Sequence, residues 1–467
     1  MPFSRPDSSV APSPRTSIIP TVGGPYFALA VLFGMNLLNY IDRYSFFAVG
    51  TQIQRDLHVD DFWYGVLSAS FMIVYTLVSP LMGWLGDRYN RRLLLAGGVA
   101  LWSLATVGTA FAADFHHMFF WRALLGVGEA SYGVIAPALI ADLFLPRRRG
   151  RAMGAYYLAL PLGGAIGYTI GGFVGQEWGW PKAFLVVGLP GLLVAAAGLF
   201  IHDPGRGGSE GVTHAGKVDR PKLRDYLALF RTPTFLFNTA GMAAVTFATG
   251  AYAAWGSTFY QTVRGMSMKE AGAWIGGLTA AAGLVGIALG TFLADFFVNY
   301  TKRAYLLLAC IVVMVAIPLG LFGILDPERI SSLSLLFGAM VMLAMVLGPC
   351  NTVIANVVPS NQRAAGYALY IFLIHIFGDI SSPILLGAIS NLFGRPGVVE
   401  SPVGRLFASI GAHPVGKTNL TVAMLSVVPI LALGCLFFLL GSRHLAEDME
   451  RVEPSGDQET GASALVH

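Results

Sequence analysis

The sequence predicts an all-α membrane protein of twelve transmembrane helices in two pseudo-symmetric six-helix halves. Three observations predict it. Of 467 residues, 55% are hydrophobic and 12% charged, with mean hydropathy +0.64, whereas soluble domains carry about 25% charged residues. Apolar stretches long enough to cross a bilayer recur along the chain. A polar stretch, His202–Arg231, divides them into two sets of equal number.

The expected spans are 26–50, 62–86, 93–113, 117–144, 151–175, 182–201, 234–262, 270–297, 304–325, 333–358, 364–392 and 418–441. They define an N-terminal half (26–201) and a C-terminal half (234–441), joined by a linker (202–233) and flanked by tails (1–25 and 442–467). The first tail is rich in Pro and Ser and has no apolar core, so it reads as disordered rather than as a signal peptide. In the linker, KLRDYLALFR (222–231) puts Leu223, Tyr226, Leu227 and Phe230 on one helical face. That is the pattern of a short helix lying on a membrane surface.

Charge sets the expected orientation. Basic residues gather on the side of the chain termini, at Arg88, Arg91 and Arg92, then at Arg147, Arg148, Arg149 and Arg151, then in the linker. The positive-inside rule places that side, with both termini, in the cytoplasm of a plasma membrane or bacterial inner membrane. Topology therefore explains the basic loops, and no nucleic-acid partner is expected. Cys310, Cys350 and Cys435 all lie in apolar spans, which argues against a disulfide framework or a thiolate metal site. Without a paired-His motif, or a nucleophile and base converging from separate elements, neither a metal, a cofactor nor an enzyme is expected.

A weak internal repeat links the halves. GWLGDRYNRR (83–92) follows the second span and GTFLADFFVNYTKR (290–303) ends the eighth. Each places an acid, Asp87 or Asp295, at the cytoplasmic helix end with basic residues after it. Asp87, Arg91 and Asp295 are thus the expected cytoplasmic gate; a topogenic loop with a helix-end acid is the alternative. Small residues recur every fourth position at Gly163, Gly167, Gly171 and Gly175 on the fifth span, and at Ala282, Gly286 and Gly290 on the eighth. Such stripes let backbones approach in lipid. They are expected to slide on one another between the halves, although static packing explains the spacing equally well.

The first span contains NYIDRYSF (39–46), with Asp42 beside Arg43 where lipid is expected. Each such charge costs about 2.5–3.5 kcal/mol at a helix centre. The fourth span contains WRALLGVGEASYGVIAP (121–137), in which Arg122 and Glu129 are seven residues apart and share a face. At ~1.5 Å per residue, the four charges lie roughly 6–16 Å from the outer end and occupy one slab. The expected pairs are Asp42 with Arg122 and Arg43 with Glu129. One reading is a permanent lock between two helices. The other is a proton switch, in which a carboxylate that loses its arginine to an anionic ligand takes up a proton. In the eleventh span, YIFLIHIFGDISSP (370–383), His375 and Asp379 share a face four residues apart, as a site or as a self-satisfied pair. Asn238 and Tyr252 on the seventh span, with Thr246 and Thr249, complete the expected polar lining of that half.

Over its whole length the chain resembles the major facilitator superfamily, and more narrowly its spinster branch of sphingolipid and lysophospholipid transporters. The likeness is carried by NYIDR (39–43), GWLGDRYNR (83–91), RALLGVGEASYGVIAPALIADLF (122–144) and HIFGDISSP (375–383). LPLGG (160–164) lacks the full glycine–proline signature of drug antiporters. The resemblance implies two bundles around a central cavity and alternating access, with Asp42, Arg43, Arg122 and Glu129 at ligand- and proton-handling positions. The expected function is secondary active transport of an amphipathic anionic lipid, coupled to protons, by a monomer surrounded by membrane lipid. The alternatives are export of drugs or polar organic anions, and uncoupled lipid translocation.

Overall fold

The structure, a computed structural model, describes residues 24–205, 229–359 and 362–452. The N-terminal half comprises α1 (Pro25–Ala48), α2 (Gly50–Asp56), α3 (Asp61–Arg88), α4 (Arg91–Thr109), α5 (Phe115–Leu143), α6 (Pro146–Tyr157), α7 (Ala159–Trp178) and α8 (Trp180–Gly198). The C-terminal half begins with α9 (Pro233–Thr262), α10 (Met268–Val298), α11 (Ala304–Leu325), α12 (Arg329–Ala344) and α13 (Leu347–Val357). There follow α14 (Arg363–His375), a π-turn (Ile376–Ile380), α15 (Ser381–Phe393), α16 (Pro396–Val399), α17 (Pro402–Ser409), α18 (Leu420–Leu425) and α19 (Val427–Glu450).

Four spans are broken helices: α6 with α7, α12 with α13, α14 with α15, and α18 with α19. Counting each as one gives twelve spans among the described residues. Ten are long and apolar enough to cross a membrane on hydropathy alone. The other two are α1 and α9, the first span of each half, at 24 and 30 residues. They are long enough, but polar side chains lower their hydropathy. The last helix continues to Glu450, past the expected end at 441. Apart from Leu229–Arg231, the amphipathic linker helix expected at 222–231 lies outside the described residues, as do the two expected tails apart from residues 24–25 and 442–452.

The helix starts are locally encoded. Pro25, Pro146 and Pro233 open their helices, where a missing N–H costs nothing. Asp60, Asn90 and Asp114 accept from the first-turn amides of α3, α4 and α5. Ser267 and Glu270 form a capping box on α10.

The glycine stripes pack mainly within the halves, which corrects the expectation of a sliding contact between them, although Gly175 also borders the Met268 sulfur of α10. A side chain at Gly163, Gly167, Gly171 or Gly175 would strike α1 or the Val49 just after it, at Tyr40, Ile41, Ser45 and Val49 in turn. Gly286 and Gly290 face Val341 and Met345 at α12. The expected helix pair, α7 with α10, does join the halves, but through a neighbouring face. There a Cβ on Gly172 would lie 2.6 Å from the Met268 carbonyl, one on Gly276 would lie 2.8 Å from the Ala165 carbonyl, and one on Gly272 would strike the Tyr168 carbonyl. The second seam pairs α3 with α15, where Gly65 meets the Pro383 carbonyl and Gly387 meets that of Asp61.

Candidate functional site

Four charged side chains from α1 and α5 come within electrostatic reach of one another inside the N-terminal half. Arg43 Nη2 donates to Glu129 Oε2 at 2.9 Å. Glu129 is 1% exposed, whereas the Arg43 side chain keeps 18% of its surface accessible. The guanidinium lies 4.7 Å from the Phe71 ring centroid and 5.2 Å from that of Tyr40, distances at which ring quadrupoles attract a cation.

Asp42 and Arg122 form no ion pair within 4.0 Å, a correction to the expected pairing. Asp42 Oδ2 accepts from Thr106 Oγ1 at 2.9 Å. The Arg122 guanidinium is drawn over Phe46, at 3.8 Å, and towards Phe71, at 4.9 Å. Its Nε points at the Leu67 carbonyl at 3.5 Å. Asp42 and Arg122 remain within electrostatic reach of one another and of Glu129. The cluster is neutral overall, yet every member keeps one buried atom without a hydrogen bond: Asp42 Oδ1, Arg43 Nε, Arg122 Nη2 and Glu129 Oε1. Unmade bonds on buried charged groups cost more than the 1–3 kcal/mol typical of neutral ones, so this arrangement has spare capacity for a proton or a polar ligand.

In the C-terminal half, His375 Nδ1 and Asp379 Oδ2 lie 2.7 Å apart across the π-turn. Both side chains are about a quarter exposed. Gly378 allows this turn to pack on Thr246, and Gly250 leaves space beside Asp379. Asp379 also lies within electrostatic reach of Tyr44 on α1, across the midline. Asn238 and Tyr252 do not join this pair, contrary to expectation. Asn238 is fully buried and donates to the Cys350 carbonyl of α13 at 3.2 Å. Tyr252 is buried with its hydroxyl beside Gly320 of α11. Both serve the interior of their own half.

Hydrogen bonds joining the halves lie, among the described residues, in the part distal to the chain termini. Thr51 donates to Gln261 Oε1 at 2.6 Å, and Gln261 Nε2 donates to the Ala48 carbonyl at 3.1 Å. Ser390 Oγ donates to Asp61 Oδ2 at 2.5 Å, while Gln54 holds the other carboxylate oxygen at 2.7 Å. The Lys269 amide donates to Gln176, and the Tyr168 hydroxyl to the Ala253 carbonyl. The distal end is thus closed.

At the end bearing the termini, Arg91, one of the expected gate residues, bonds within its own half. Arg91 Nη1 donates to Asp142 Oδ2 at 2.5 Å, tying α4 to the last turn of α5. Asp87 lies in the last turn of α3, and its side chain falls outside the described set. Asp295 is exposed near the end of α10. Sequence reasoning missed Thr106, Asp61, Ser390, Gln261 and Asp142. Only Asp142 had a signal, since it lies within the fourth-span segment that carries the family likeness.

A family profile described as Major Facilitator Superfamily matches residues 32–383. The Drosophila melanogaster protein spinster is 34% identical over 400 residues, covering 83% of this chain and 65% of that one. Spinster homolog 1 of Xenopus tropicalis is 30% identical over 445 residues, 91% of this chain and 81% of the frog protein. The chain belongs to the major facilitator superfamily, in its spinster branch. It is a multi-pass membrane transporter and not an enzyme. This spinster-type chain therefore spans less than two thirds of the fly protein's length. The fold agrees with a solved bacterial homologue of the human lysosomal transporter spinster, described as inward-facing and unoccupied. That protein has a TM-score of 0.79 at 24% identity, over 91% of this chain and 98% of its own. A D-xylose–proton symporter aligns with a TM-score of 0.69 at 16% identity, over 90% and 97%.

Proposed function

We propose that this spinster-type chain is a proton-coupled, alternating-access transporter of an amphipathic anionic lipid of the lysophospholipid or sphingoid-phosphate kind. The single observation that carries the proposal is the Arg43–Glu129 pair, with its carboxylate sealed and its guanidinium partly accessible. A phosphate or carboxylate head group approaching Arg43 competes with Glu129 for the same fork, which binds such oxyanions bidentately. Once Arg43 turns to the ligand, Glu129 loses its counter-charge in a buried place, and a proton replaces it. Substrate and proton thereby exchange hold on one residue. Tyr40 and Phe71 flank the guanidinium with flat apolar walls suited to the proximal part of a tail.

The termini lie in the cytoplasm in this reading, following the basic loops. The state is inward-open in this reading, which the distal position of the hydrogen bonds between the halves supports. Asp87, Arg91 and Asp295 form the cytoplasmic gate when those ends meet. His375 and Asp379 form the polar contact of the second half. The monomer is the working unit.

Proteoliposomes with an imposed pH gradient test the proposal. Lysolipid or sphingoid-phosphate uptake should follow the gradient, lose that dependence in Glu129→Gln, and lose substrate affinity in Arg43→Ala. Transport indifferent to the gradient in both wild type and Glu129→Gln would remove the coupling. Preference for polar organic anions in a competition panel would move the substrate class to the exporter alternative.

A further inference from the structure

Residues 394–419 link α15 to α18, so the segment leaves one span and enters the next at the distal face. Within it, α17 has two unlike faces. The inner face packs on the protein: the Phe407 ring meets Phe393 at 5.3 Å, and Gly404 lies against the carbonyls of Val398 and Val399. The outer face presents Val403 and Leu406, 51% and 64% exposed, and Ile410, just past the helix end, is 45% exposed. Among the described residues nothing covers this stripe. The segment's cations, Arg395, Arg405 and Lys417, are exposed, and Glu400 is its only acid.

We propose that α17 is an interfacial anchor, with its apolar stripe in the acyl boundary of the distal leaflet and its cations on anionic lipid head groups. Because the segment begins and ends at membrane spans, its stripe is held at the height of the head groups. A short helix with one apolar face and basic flanks is stabilised there by burial and by attraction to anionic lipid. The stems of Arg405 and Lys417 can lie along the apolar surface while their charges reach phosphate. The anchor is also tied to the distal closure. The Asn419 amide donates to the Ser390 carbonyl at 2.9 Å, and the same Ser390 donates its hydroxyl to Asp61. Lipid that holds α17 therefore steadies the C-terminal side of that closure.

The test places an environment-sensitive fluorophore on Leu406→Cys in the full chain. The comparator is Glu400→Cys, and the wild-type chain, whose cysteines lie within spans, provides the background. The protein is reconstituted in nanodiscs of phosphatidylcholine alone and of phosphatidylcholine mixed equally with phosphatidylglycerol. The expected result at Leu406 is several-fold stronger quenching by lipid-borne nitroxides than by aqueous iodide, with the opposite order at Glu400. Iodide quenching at Leu406 equal to that at Glu400 would overturn the anchor. Phosphatidylglycerol should strengthen the lipid quenching, and Arg405→Gln with Lys417→Gln should abolish that increment. An unchanged signal in both membranes would overturn the anionic head-group assignment. Neither result depends on the transported substrate, so failure here is distinct from failure of the transport reading.

Discussion

The two halves each carry a polar pair of similar length, yet the pairs differ in what they hold. Arg43 and Glu129 are 86 residues apart, on α1 and α5, and one partner is sealed from solvent. His375 and Asp379 are four residues apart on one turn, and both are partly accessible. Separating the first pair changes the fit of two helices and strands a buried charge. Separating the second rearranges one turn. A contact within a single turn can tune a cavity, whereas a contact between helices can report ligand binding to the bundle.

The sharpest way to break this comparison is Arg43→Ala. It leaves Glu129 buried without a partner and should lower stability by about 3–5 kcal/mol along with transport. Adding Glu129→Gln should restore most of the stability and none of the coupling, as read by thermal unfolding and pH-driven uptake. If the double variant unfolds as readily as the single one, the pair is not the element that matters.

Next in size is Asp61→Ala, which removes the acceptor shared by Ser390 and Gln54. About 1–3 kcal/mol is expected for a buried hydrogen bond left unmade. Spin-label distances across the distal ends of α3 and α15 should lengthen. A distribution identical to wild type would show that the closure rests elsewhere.

The packing seam comes third. Gly272→Ala places a methyl group against the Tyr168 carbonyl and should cost about 1–3 kcal/mol by overpacking. Gly277→Ala meets nothing within 4 Å and is the control. Equal transport rates in the two variants would contradict tight contact between the halves at α7 and α10.

The smallest effect belongs to Asp379→Asn, at about 0.2–1 kcal/mol for a partly exposed pair on one turn. Transport should fall by no more than a few fold in uptake assays. Loss of pH dependence matching that of Glu129→Gln would give the halves equal roles and erase the contrast.

The spans were legible because hydropathy over twenty residues is a strong signal and the breaks between them are short. The Arg43–Glu129 contact was legible because α1 and α5 have calculable depths, and charges at matching depth in lipid attract one another. Depth does not determine azimuth, however: matching depth pairs Asp42 with Arg122, whereas Asp42 accepts from Thr106. An uncharged threonine within an apolar helix gives no comparable signal. The glycine stripes show why a periodic signal can mislead. Spacing says that a helix has a close neighbour, but α7 has two, α1 and α10, and the longer stripe faced the neighbour in its own half. The distal closure left no trace at all. Asp61 and Ser390 are 329 residues apart, and the groups that link the halves there are mostly neutral amides and hydroxyls common to any loop.

The shortfall in hydropathy of α1 and α9 bears on how the chain enters a membrane. Neither helix is apolar enough to cross a membrane on hydropathy alone, whereas α11 is the most apolar of the described spans. An insertion machinery that sorts segments by partitioning has little reason to release either one alone into lipid. Each must instead be retained until later helices of its half supply polar partners, for example the α5 carboxylate that meets Arg43. Biogenesis should thus proceed by halves, with the opening helix of each half the last to settle.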